Sequence, residues 1–136
     1  MNLDEIQAVE RTWARVAETP GSAARLFYAK LFTKYPEVRP LFRGDMEEQG
    51  AKLVKTLALA VGGLRRPDSI RAAVTRLGAR HVGYGARAEH YPLVGATLIE
   101  TLRAALGSEF TPEAEKAWGV AIGLLAEWML EGAQPP

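Results

Sequence analysis

Apolar side chains recur at intervals of three and four residues along nearly the whole chain, and no stretch alternates with period two, so the pattern predicts helices and no sheet. The first helix runs from about Leu3 to Ala17, with Ile6, Val9, Trp13 and Val16 as its buried stripe. Asn2 stands where a cap belongs, and Glu5 follows three residues on. Pro20-Gly21 reads as a break. A second helix, from Ser22 to about Lys34, crowds Phe27, Tyr28, Leu31, Phe32 and Tyr35 onto one side. Pro36 opens a short turn carrying Val38; Leu41-Phe42 and a corner from Arg43 to Met46 follow. The helix from about Glu47 to Val61 buries Leu53, Val54, Leu57, Ala58 and Val61, and Gly62-Gly63 ends it. Pro67-Asp68 starts a helix with Ile70, Val74, Leu77 and His81 on one stripe, ended by Gly83 and Gly85. Tyr91-Pro92 opens another that reaches Leu106 and stops at Gly107. Thr111-Pro112-Glu113 caps a last helix ending near Glu131, and residues 133–136 read as a flexible tail.

Six or seven helices with short connections make an all-α chain. Their unequal lengths and corners favour crossed packing over an up-and-down bundle. A length of 136 residues suits a single domain, residues 1–136, around one core. The net charge of +1 argues against a nucleic-acid partner or a strongly basic membrane binder. No apolar run approaches the roughly 20 residues that span a bilayer. The acidic start, Met1-Asn2-Leu3-Asp4-Glu5, reads as the beginning of a helix, not as a secretory leader. The expectation is a cytoplasmic protein with neither nucleic-acid nor membrane partners.

The absence of cysteine removes disulfides and thiolate metal sites. That makes His81, one of two histidines, the most informative side chain. An imidazole on an apolar stripe has two readings. The plainer one is a core histidine bonded to a carbonyl. The other is a metal ligand. Zinc would need three or four ligands, and only His90 joins it in a chain without cysteine. Haem needs as little as one axial imidazole from the protein, so the inventory permits haem and disfavours zinc. Gln49 lies one turn before Leu53: either a first-turn amide near solvent, or a donor to a bound gas. Tyr28 is either a core tyrosine whose hydroxyl reaches a carbonyl or a second such donor. Phe42 is either an ordinary core ring or one laid flat on a porphyrin. Arg65, Arg66, Arg71, Arg76, Arg80 and Arg87 surround the His81 helix, most of them as a solvated basic face. One or two of Arg80, Arg87, His90 and Lys52 could pair with haem propionates.

These segments, taken in order, resemble the globin family from about Asp4 to Glu131. They are Leu26-Phe27-Tyr28-Ala29-Lys30-Leu31-Phe32, Pro36 through Leu41-Phe42, Gln49 through Leu53, Leu77 through Gly85 around His81, His90-Tyr91-Pro92-Leu93-Val94-Gly95, and Ala117-Trp118-Gly119. The chain resembles bacterial single-domain haemoglobins of the Hell's Gate type and the haem domain of flavohaemoglobins. The resemblance implies a globin fold around haem b, with His81 as the proximal iron ligand and Phe42 packed on the haem. Tyr28, Gln49 and Leu53 would line the distal side, and Tyr91 would lie near His81 on the proximal side. It further implies O2, CO and NO as gaseous ligands, with Tyr28 and Gln49 stabilising bound O2. In flavohaemoglobins a Tyr and a Glu polarise the proximal His, which favours oxygen activation. Tyr91 matches that Tyr; the Glu position falls on Ala133, with Glu131 nearby but off register. The expected function is reversible, high-affinity O2 binding. The alternative is an NO dioxygenase or peroxidase that draws electrons from an external reductase, since no reductase domain is present in the sequence.

Overall fold

The computed structural model describes residues 1–133. It comprises α1 (Leu3–Val16), α2 (Pro20–Lys34), α3 (Met46–Gly62), α4 (Pro67–Gly83), α5 (His90–Leu106) and α6 (Pro112–Ala133). Short 3₁₀ turns at Pro36–Leu41 and Gly107–Glu109 form the corners after α2 and α5. Among the described residues there is no strand.

Local chemistry accounts for the helix starts. The Asn2 side chain accepts the Glu5 N–H at 2.8 Å, and Glu5 Oε1 accepts the Asn2 N–H at 2.9 Å, a reciprocal cap for two otherwise unpaired donors. Thr111 Oγ1 accepts the Ala114 N–H at 3.1 Å. Asp45, which the sequence pattern leaves in a corner, caps α3 by accepting the Glu47 N–H at 2.9 Å. Pro20-Gly21 does not break the chain but forms the first turn of α2, where a missing N–H costs nothing. The last helix continues to Ala133, past its expected end at Glu131. The expected tail therefore begins within helix at Ala133, and residues 134–136 lie outside the described residues.

The helices cross. α4 lies along α6, α1 packs on α6, and α2 packs on both α5 and α3. α3 and α4 are consecutive, yet they do not pack along one another, as an up-and-down bundle would require. The main core joins α1, α5 and α6 through Val9, Leu102, Phe110 and Trp118. Within it the Trp118 indole N–H donates to Thr12 Oγ1 at 2.7 Å, and the Thr12 hydroxyl donates to the Ala8 carbonyl at 2.7 Å. A second cluster sets Ile70 and Val74 of α4 against Trp128, Leu124, Leu125 and Met129 of α6. A third gathers Phe27, Tyr28, Leu31 and Val38. Of the residues expected to face inward on α3, Val61 is buried and Leu53, Val54 and Leu57 are half-buried, while Ala58 is exposed and Ala60 takes the interior place.

Candidate functional site

α4 packs on α6 while α2 holds α3, and α3 and α4 do not pack along one another. Half-buried apolar side chains gather on the Tyr28 cluster: Leu53 on α3, Leu93, Val94 and Leu98 on α5, and Leu41 and Phe42 at the corner. Half-buried leucines gathered from two helices and a corner suit a flat apolar guest. The corner and the end of α4 come together at Gly85, whose backbone has φ +90° and where a Cβ would meet Leu41 Cδ2 at 3.1 Å. The positive φ and the close approach both favour glycine there.

Tyr28, Phe42 and Leu53 are brought together. Phe42 and Leu53 pack on the cluster that contains Tyr28. The Tyr28 ring meets Phe27, Phe32 and Phe42 at centroid distances of 5.0, 5.7 and 5.4 Å, edge-on to Phe27 and Phe42 and stacked on Phe32. Its hydroxyl donates to the backbone carbonyl of Gln49 at 3.4 Å, longer than the usual 2.5–3.0 Å range for O–H···O. Burial pushes that hydroxyl up to about 12, so it remains a donor throughout the neutral range. Gln49 is half-buried on the first turns of α3, and its carbonyl ties it to Tyr28.

His81 stands apart from that cluster, on α4. It is half-buried, and its Nδ1 lies 2.8 Å from the Leu77 carbonyl four residues earlier. Only a protonated Nδ1 can make that bond, which leaves the lone pair on Nε2. Its aromatic neighbour is Tyr84, at 5.4 Å and edge-on. Sequence spacing could have found Tyr84, three residues further on at the C-cap of α4. Tyr91 is half-buried at the start of α5, and burial raises its hydroxyl pKa. His90 Nδ1 accepts the Arg87 N–H at 3.0 Å within its own turn. Lys52, Arg80 and Arg87 are exposed. Glu131 pairs with Arg71 at 2.8 Å across the α4–α6 contact. Among the described residues no three of His, Asp and Glu form a metal-ligand group.

A porphyrin asks for one imidazole with a free ring nitrogen, apolar walls and cations at a rim. His81, the half-buried leucines with Phe42, and the exposed cations Lys52 and Arg80 are residues of those three kinds. The globin family model matches residues 25–129. The chain belongs to the globin family. This globin is 34% identical over 131 residues to a flavohemoprotein of Bordetella pertussis, a match covering 93% of this chain and 32% of that one. It is 30% identical over 135 residues to a flavohemoprotein of Deinococcus radiodurans, covering 96% and 33%. The chain thus spans about a third of the length of the curated relatives it matches. Among solved structures, a bacterial globin from Campylobacter jejuni superposes with a TM-score of 0.86 at 27% identity, over 97% of this globin and 96% of that chain. An engineered carbene transferase from Rhodothermus marinus gives 0.88 at 27% identity, over 98% and 93%.

Proposed function

We propose that this globin holds haem b between α3 and α4 on the His81 imidazole and binds O2 reversibly, with CO and NO as further ligands. The observation that carries the reading is the His81 ring. Its Nδ1–H is committed to the Leu77 carbonyl at 2.8 Å, which fixes the tautomer and leaves Nε2 as the ligating nitrogen. When bound, haem would supply an iron that takes up a diatomic gas. Phe42 and Leu53 would exclude water beside it, and Tyr28 and Gln49 would donate hydrogen bonds to the gas. The long 3.4 Å contact of the Tyr28 hydroxyl is one that a better acceptor would displace. Two donors worth about 1 kcal/mol each slow O2 release by an order of magnitude or two, giving high affinity. Lys52, Arg80 and His90 are the candidates for the propionates.

NO dioxygenation is the second reading, favoured by similarity to flavohemoproteins. The pairing of Glu131 with Arg71 weighs against it, because that carboxylate is engaged at the surface of α4 and α6. Stopped-flow O2 release and NO consumption with an added reductant test both readings. Carriage predicts slow release that accelerates in Tyr28→Phe and Gln49→Leu, with no sustained NO loss. Unchanged release in both variants contradicts the distal assignment, and sustained conversion of NO to nitrate moves the function to the enzyme.

A further inference from the structure

Two glycines join α4 to α6 backbone to backbone. A Cβ on Gly78 of α4 would stand 1.9 Å from the Met129 carbonyl oxygen of α6. A Cβ on Gly132 of α6 would stand 1.8 Å from the Thr75 carbonyl oxygen of α4. Each glycine thus receives the backbone of the other helix, and the two contacts lie three residues apart on both, Thr75 to Gly78 against Met129 to Gly132. Ile70 and Val74 pack beside them on Trp128 and Met129, and Arg71 both pairs with Glu131 and lies 5.7 Å over the Trp128 ring. No other described glycine meets backbone so closely.

His81 follows Gly78 by three residues on the same helix, and its ring is bonded to the carbonyl of Leu77, the residue before Gly78. The ring therefore moves with the α4 backbone at the point where that backbone is held. We infer that the reciprocal Gly78–Gly132 contact is a positioning device that fixes where the His81 ring is held, and so the strength of the bond that its Nε2 would make to haem iron. This rests on His81 being the iron ligand. A methyl group at either position has carbonyl atoms in its way, not the end of a flexible side chain. The helices must therefore part by about 1 Å or more to restore ordinary contact distances. Moving α4 off α6 carries His81 with it.

The test is resonance Raman of the reduced, haem-loaded protein in the iron–histidine stretching region, together with CO association by flash photolysis. Gly78→Ala and Gly132→Ala are expected to shift the band and change the CO rate severalfold. Gly123→Ala, on α6 with open space around its Cβ, is expected to leave both unchanged. In a His81→Gly background supplied with free imidazole, the ligand is no longer tethered to α4, and Gly78→Ala should then produce no shift. A band unmoved in either folded glycine variant overturns the inference, as does a shift that persists with free imidazole. If only Gly132→Ala folds, helped by its place in the last turn of α6, that variant decides. Loss of folding in both would make the contact a requirement of the fold and would also overturn it. A wild-type protein that takes up no haem removes the functional reading itself, a different failure from normal uptake with an unmoved band.

Discussion

Tyr28→Phe separates stability from function at a single atom. The substitution keeps the ring and its three aromatic contacts, at 5.0, 5.7 and 5.4 Å, and deletes only the hydroxyl. That hydroxyl reaches the Gln49 carbonyl at 3.4 Å, too far for the roughly 1 kcal/mol of an ordinary buried hydrogen bond. Its removal also relieves the cost of burying a polar group. The net change in unfolding free energy at pH 7 should stay within about 0.5 kcal/mol. At alkaline pH the variant should be relatively more stable. Burial raises the folded-state pKa of Tyr28 from 10.0 to about 12. The folded protein therefore holds this proton more tightly than the unfolded chain does. The stability linked to it is intact below about pH 10 and is lost as pH rises through about 12. Two pKa units correspond to about 2–3 kcal/mol at the upper end, which Tyr28→Phe should not lose. The functional effect runs the other way. Removing a donor to bound O2 should speed its release about tenfold, equivalent to about 1.4 kcal/mol. Urea unfolding at pH 7 and pH 11, and stopped-flow displacement of O2 by CO, read the two effects on the same preparations. A loss of more than about 1.5 kcal/mol at pH 7 would make the hydroxyl a structural group. An unchanged release rate would refute its role as a donor.

Thr12→Val leaves the buried Trp118 indole N–H without its 2.7 Å acceptor and should cost about 1–3 kcal/mol in chemical unfolding. Adding Trp118→Phe should cost less than the sum of the single changes, because the unpaired donor is removed with it. Asn2→Ala removes half of the reciprocal cap of α1 and should cost about 1 kcal/mol, read by thermal melts. Glu131→Gln breaks a half-exposed pair with Arg71 and should leave the absorption bands of the haem-loaded protein unmoved.

Much of the fold can be read from the period of the apolar residues, because each helix buries one stripe and its caps are local. The Asn2–Glu5 box and the Thr111 cap follow from neighbours three residues away. The misread points are those where local signals conflict. Pro20-Gly21 carries a break signal, but proline is equally at home in a first turn. Ala58 and Ala60 are the same residue type, so the apolar pattern cannot tell which one faces in. For the site, the sequence pattern turns Tyr28, Phe42 and Leu53 inward, and they meet in one cluster. It cannot reveal the Gly78–Met129 and Gly132–Thr75 contacts, which exist only once two helices some fifty residues apart are packed.

The most direct measurement of the central claim is the absorption spectrum of protein purified from haem-supplemented cells, oxidised, reduced, and reduced under O2 and under CO, for wild type and His81→Ala. The account predicts a strong Soret band in the wild type that shifts with each gas, and its loss or collapse in His81→Ala. A colourless wild-type protein that will not take up haem, or a His81→Ala variant with an unaltered spectrum, would contradict it.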